Sequence, residues 1–169
     1  MALSMPTCRE LTTRAATADD REWFRSAHHH AYRDLVKRQY GAWVEADQDR
    51  FFAHKWTSSK YEIVLCDSTP CGYVFVEDRP RDIHIAEIVI IPEFQARGIG
   101  TLLLTRVIDR ARDSSVPVRL RTAHANRAAA LYRRLGFREV GTTATHLLFE
   151  WAPQPHRLDP DVEVQSGPC

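Results

Sequence analysis

The chain has 169 residues, 44% of them hydrophobic and 27% charged, with a formal net charge of +1; that suffices for one well-filled core and is too little for two independent domains. No apolar run approaches the roughly 18 residues of a membrane span, and the N-terminal stretch MALSMPTCRELTTR lacks the apolar core of a secretory signal, so a cytoplasmic location is the default expectation. The near-neutral charge is unevenly spread: residues 94–134 hold nine arginines and two aspartates, a balance of +7 that leaves −6 for the rest, which favours a polyanionic ligand, phosphate before nucleic acid.

In chain order, residues 10–14 (ELTTR) read as a first strand. Thr17, Ala18, Asp19 and Asp20 form a helix start with acids in the first turn, and the helix is expected to run to about Gln39, with Gly41 as its stop. A second helix is expected over residues 43–55. From Tyr61 the pattern turns to strands: YEIVLC, the turn DSTP, then CGYVFVE, an antiparallel hairpin, followed after DRPRD by the β-branched run IHIAEIVII that Pro92 closes. Residues 98–113 carry an apolar stripe of Ile99, Leu103, Val107, Leu104, Ile108 and Ala111 and read as a helix. PVRLRTA is a further strand, residues 126–135 a helix ending at Gly136, and FREVGTT with THLLFEW a closing antiparallel pair.

The whole is a mixed α/β sheet domain over residues 8–151 with a strand-helix-strand unit in its middle. Residues 152–169 hold four of the nine prolines and no periodicity, and are expected to be a disordered tail. Cys8, Cys66, Cys71 and Cys169 show no metal-site spacing and are expected to be reduced thiols; Cys66 and Cys71 flank one turn and could face each other across the hairpin, but a reducing compartment disfavours a disulfide. His28, His29 and His30 are adjacent on a helix, about 100° apart, and do not converge on one ion. No metal site is expected.

The stretch PEFQARGIGTLL, residues 92–103, places two glycines at a helix start. A helix N-terminus offers bare N–H groups and positive potential to a phosphate, and glycine permits both close approach and the positive φ that turns successive amides inward. A Walker loop is excluded because no lysine follows these glycines, and a GxGxxG fingerprint fails because Leu103 stands at its third position.

QARGIG after a strand, with NRAAALYRRLGF about thirty residues on, resembles the GCN5-related N-acetyltransferase (GNAT) superfamily. The resemblance is strong over residues 83–151 and weaker over LTTRAATADD; residues 20–60 carry no assignable motif. It implies the acyl-CoA N-acyltransferase fold, a mixed, mostly antiparallel sheet of about seven strands flanked by about four helices. It also implies an acetyl-CoA-dependent transferase acting directly on a primary amine, or a non-catalytic acyl-CoA sensor on the same fold.

By this resemblance the backbone of Ile88, Val89 and Ile90 pairs with the pantetheine amides as an added strand. The amides of Ala96, Arg97, Gly98, Ile99, Gly100 and Thr101 bind the pyrophosphate, with the Arg97 guanidinium adding charge and Gln95 either contacting the cofactor or capping the turn. Asn126 caps its helix, hydrogen-bonds the cofactor arm, or does both; it precedes Tyr132 by six residues where many members have seven. Tyr132 is the acid for the leaving thiolate.

His84 and Glu87 are alternative bases for the amine. Strict alternation sets His84, Ala86, Ile88 and Ile90 on one face of the strand, and Ile83, Ile85, Glu87 and Val89 on the other; the resemblance favours His84, since family members often carry a base at the matching position and a neutral imidazole suits proton removal at pH 7, while the bulge that such members show here could turn Glu87 inward. The first two helices usually roof the acceptor site in this family, and here offer Trp23, His28 to His30, Tyr32, Tyr40, Trp43 and Trp56 with Glu45, Asp47 and Asp49. An amine acceptor is therefore expected as partner, nucleic acid and membrane are not, and the resemblance allows a homodimer.

Overall fold

The structure is a computed structural model that describes residues 8–57 and 60–154; most of the expected tail, 155–169, and Cys169 lie outside the described residues. Strands β1 (Leu11–Ala15), β2 (Glu62–Cys66), β3 (Thr69–Asp78), β4 (Ile83–Ile90), β5 (Val118–Ala123), β6 (Arg138–Thr142) and β7 (His146–Trp151) and helices α1 (Arg21–Tyr40), α2 (Glu45–Lys55), α3 (Ile99–Asp113) and α4 (Ala129–Arg134) follow in the order β1-α1-α2-β2-β3-β4-α3-β5-α4-β6-β7. The strands form one sheet in the order β1-β2-β3-β4-β5-β7-β6. Its neighbours pair antiparallel except β4 and β5, which are parallel.

Local chemistry sets the element ends. A capping box between Thr17 and Asp20 opens the single turn of 3-10 helix before α1, and Gly41 closes α1 in the left-handed region, its N–H donating to the Lys37 carbonyl. The hairpin between β2 and β3 is tighter than DSTP suggests. Asp67 and Ser68 both take positive φ, 48° and 66°, as a two-residue turn matching the strand twist requires, and Thr69 and Pro70 join β3. Helix α4 starts three residues later than the sequence pattern implies, because the Asn126 side chain accepts from the Ala128 N–H at 2.9 Å and holds residues 126–128 in a turn.

The sheet is covered on both faces. Ile99, Leu103, Leu104, Ile108 and Ala111 of α3, with Ala129 and Tyr132 of α4, bury one face together with Val64, Val74, Ile83, Ile85, Val118, Leu120 and Phe149. Phe24 and Ala27 of α1 and Phe52 of α2 bury the other against Tyr61, Ile63, Tyr73 and Val89. Cys66 and Cys71 are both buried free thiols. Ligand atoms of Cys8, Cys66 and Asp67 come within 4.8 Å of one another, a cluster the linear spacing does not show. Among the described residues no helix is long and apolar enough to cross a membrane.

Strict alternation fails on β4. Phe75 pairs with Glu87 and Val76 with Ile85, so Ala86 is an extra residue, a β-bulge. Beyond it the parity reverses: Ile88 and Ile90 share the α3 face with Ile83 and Ile85, while Glu87 and Val89 face α1 and α2. His84 and Glu87 are thereby brought to the same side of the strand. Gly72 on β3 permits this close β3–β4 pairing, since a Cβ there would collide with the Val89 carbonyl oxygen and stand 2.8 Å from Ile90 Cδ1. Gly72→Ala is expected to lower stability by about 1–3 kcal/mol through overpacking; urea unfolding with no shift in midpoint would contradict this packing.

Candidate active site

Strands β4 and β5 pair only at Ile83–Val118, His84–Arg119 and Ile85–Leu120, although both run on. The ladder stops where the bulge begins, and the sheet splays. Ile88 to Ile90 on one side and Asn126, Arg127, Ala128, Leu131 and Tyr132 on the other line a cleft of about 600 Å³, closed by Gln95, Ala96 and Gly98 to Thr101 of the loop and by an α1 wall of His30, Tyr32, Asp34 and Arg38. Of the nine arginines between residues 94 and 134 only Arg127 and Arg134 line it. Arg110, Arg112, Arg119 and Arg133 are paired with carboxylates, and Arg106 donates to the Leu11 carbonyl.

The open edge of β4 is specific about its donors. Ile91 N–H donates to the Cys71 carbonyl, which in an antiparallel ladder assigns Val89 to β3 as well and turns the peptide groups of Ile88 and Ile90 toward the cleft. The sequence-based expectation that all three residues offer their backbone is corrected to Ile88 and Ile90, and the Ile90 carbonyl already accepts from Gln95 Nε2 at 2.8 Å. Gln95 thus ties the loop to the strand it leaves.

In that loop Ala96 and Gly98 take positive φ, 59° and 79°. Gly98 is the N-cap of α3 and no side chain caps the helix, so the first N–H groups of α3 have no partner inside the helix. A Cβ at Gly98 would meet nothing within 4 Å, and one at Gly100 would make an ordinary 3.5 Å contact with Leu131. The fold needs glycine at 98 for its φ; any demand at 100 comes from what enters the cleft. These amides fit an anionic diphosphate. The Arg97 side chain does not line the cleft: its guanidinium donates to the Glu93 carbonyl at 2.6 Å and lies 4.8 Å over the Phe94 ring.

Tyr132 is 5% exposed and packs against Phe137 and Phe149 while lining the cleft. Burial pushes its phenol up to about 12, so it stays protonated at neutral pH. Asn126 also lines the cleft, with its side-chain oxygen engaged by Ala128.

Glu87 lies behind the α1 wall. Tyr32 and Tyr73 donate to its Oε1 at 3.0 and 3.2 Å, Tyr61 to Oε2 at 3.1 Å, and Lys55 Nζ stands 2.7 Å from Oε2. His28 Nδ1 is 2.9 Å from the Tyr73 oxygen and 3.6 Å from Oε1. Burial opposes the charge, but the adjoining His28 imidazole and the Lys55 ammonium outweigh it and hold Glu87 at about 2. Both carboxylate oxygens are thus engaged by donors, which leaves Glu87 little capacity to accept a further proton. His84 is half-buried, outside the residues that line the cleft, and its pKa is lowered chiefly by burial and then by Arg79.

Of the expected site residues, the structure gathers Ile88, Val89, Ile90, Gln95, Ala96, Gly98, Ile99, Gly100, Thr101, Asn126 and Tyr132 around one cleft. It leaves the side chains of Arg97, His84 and Glu87 outside the lining. The polar network of Tyr61, Tyr73, His28 and Lys55 had no motif, although the i, i+4 spacing of His28 and Tyr32 puts both on one face of α1. The three adjacent histidines diverge as helix geometry requires: His28 toward Glu87, His29 to Glu45 at 2.9 Å, and His30 toward Glu93 at 3.5 Å.

The acetyltransferase (GNAT) family description matches residues 16–137, well over half the chain. The chain belongs to that family. It is 31% identical over 140 residues to an uncharacterized N-acetyltransferase of Methanocaldococcus jannaschii, covering 76% of this chain and 61% of that protein. It is 40% identical over 62 residues to the N-alpha-acetyltransferase RimI of Mycobacterium tuberculosis, covering 37% and 39%. The match thus spans less than two thirds of the length of either of these curated relatives. The fold is shared with the PaiA N-acetyltransferase of Thermoplasma acidophilum in complex with coenzyme A, at TM-score 0.69 and 17% identity over 85% of this chain and 99% of that one. It is shared too with an acetyltransferase of Thermus thermophilus, at TM-score 0.67 and 18% identity over 87% and 99%.

The folded-state pKa of Glu87 lies below its ordinary value of 4.5. The stability it contributes is therefore present above about pH 4.5 and is lost as pH falls toward about 2. Urea unfolding between pH 6 and 3 should show wild type losing stability more steeply than Glu87→Gln; parallel curves would mean that the carboxylate is not held ionised by the fold.

Proposed function

We propose that the protein transfers the acetyl group of acetyl-coenzyme A directly to a primary amine. The observation that carries this reading is the splay of β4 from β5, which sets unpaired strand amides, an uncapped helix start and a buried phenol around one cleft. Acetyl-coenzyme A supplies the thioester. The amides at the start of α3 and the turn at Ala96 and Gly98 hold its diphosphate, where the helix dipole favours negative charge. Ile88 and the Ile90 N–H pair with the amide groups of its arm as a short added strand. Arg127 and Arg134 add positive potential at the cleft lining.

Transfer joins the amine nitrogen to the acetyl carbon and breaks the carbon–sulfur bond. Tyr132, protonated throughout the working range, gives its O–H proton to the departing thiolate and recovers one from solvent. Glu87 has both oxygens engaged by the three tyrosines and Lys55 and lies outside the cleft lining. We assign removal of the amine's proton to His84 acting through water: it shares a strand face with Glu87, and its lowered pKa keeps the imidazole neutral at pH 7. Activity that requires neutral His84 falls as pH drops through the histidine range; His84→Gln should remove that acid limb of the pH profile, and an unchanged limb would assign it elsewhere.

Coenzyme A release measured with a panel of amines tests the reaction itself. Tyr132→Phe is expected to lower kcat about 10²–10⁴-fold while acetyl-coenzyme A still binds. Binding without turnover of any amine by the wild type would identify an acyl-CoA sensor. Gly98→Val, which forces a β-branched residue to positive φ at the mouth of the anion cup, should abolish acetyl-coenzyme A binding by calorimetry, and an unchanged affinity would place the diphosphate elsewhere.

A further inference from the structure

We infer that Tyr32 holds the acceptor amine, its phenol oxygen accepting an amine N–H because its own proton is committed to the buried Glu87 carboxylate. The inference rests on the acetyltransferase reading and assigns a positioning residue to it.

A phenol has one proton to give, and an ionised carboxylate can only accept. At 3.0 Å from Glu87 Oε1 the Tyr32 hydroxyl must therefore donate to Glu87. Its remaining lone pairs are then acceptors, and Tyr32 is a residue of the cleft lining. The rotor is fixed from behind: Glu87 is 5% exposed and is held by Tyr61, Tyr73 and Lys55 as well. The ring is fixed by packing 4.5 Å from the His28 ring.

Tyr32 comes from α1 and Tyr132 from α4, and both line the same cleft. One phenol is locked as an acceptor; the other, with burial keeping its proton on, is a donor. Those are the two polarities that an amine nucleophile and a thiolate leaving group require. An amine that gives one N–H to Tyr32 keeps its lone pair free for the acetyl carbon.

Tyr61 and Tyr73 provide the control, because both donate to the same carboxylate and neither lines the cleft. Two measurements are made on wild type, Tyr32→Phe, Tyr61→Phe and Tyr73→Phe. The first is steady-state kinetics with the best amine of the panel; the second is calorimetric binding of that amine to protein saturated with coenzyme A, which needs no turnover. Tyr32→Phe should raise the amine KM and its dissociation constant about tenfold, the worth of one hydrogen bond near 1.4 kcal/mol, with acetyl-coenzyme A affinity and melting temperature within the range of the other two variants. Tyr61→Phe and Tyr73→Phe should leave the amine KM within about threefold of wild type, less than half of the free-energy change expected for Tyr32→Phe. If Tyr32→Phe binds the amine like wild type, or if all three variants weaken it equally, Tyr32 serves only to bury Glu87 and the inference is overturned. A wild type that binds the amine but never transfers acetyl to it would overturn the transfer reading instead, while the binding comparison still judges Tyr32.

Discussion

One extra residue on β4 organises the molecule. The bulge at Ala86 breaks the pleat, and the strand leaves it with its faces exchanged. Before the bulge the apolar side chains of β4 pack under α3. After it the same face continues with Ile88 and Ile90, and Glu87 enters the layer beneath α1 and α2. At the same point β4 and β5 part company. A parallel pair kept in register through Ile90 would have no cleft, and β4 would have no unpaired peptide groups to offer.

A cleft opened inside a sheet exposes backbone polar groups that a continuous ladder would satisfy, and those groups need another partner. Here the demand falls on a small set of peptide groups, those of Ile88 and Ile90, because Val89 remains tied to β3. Gln95 takes one acceptor by reaching back to the Ile90 carbonyl, and in doing so fixes where the loop leaves the strand. The loop then needs two left-handed residues, Ala96 and Gly98, to deliver α3 with its N-terminus toward the opening. Strand edge, loop and helix start form one continuous polar surface.

On the opposite side the dominant interaction is the desolvated Glu87 carboxylate. A buried charge without partners costs several kcal/mol, and three tyrosines and a lysine answer that cost. The arrangement makes Glu87 a strong anchor and a poor base. Tyr32 and Tyr132, unlike Glu87, line the cleft.

The sequence by itself determined the element order, because apolar periodicity, caps and turn residues act within a few positions of one another, and its segments QARGIG and NRAAALYRRLGF carried the family resemblance that singled out the glycine loop, Asn126 and Tyr132, all of which line the cleft. It did not reveal the start of α4, where a side-chain turn at Asn126 outcompeted helix propensity, nor the face on which Glu87 sits, since alternation is a local rule and a bulge is decided by the partner strand. Nor did it show that Arg97 folds back on Phe94 or that Tyr32, Tyr61 and Tyr73, which arrive from α1, the segment before β2, and β3, meet on one carboxylate. Those outcomes depend on contacts between residues dozens of positions apart, whose energy exists only once the sheet has closed around them.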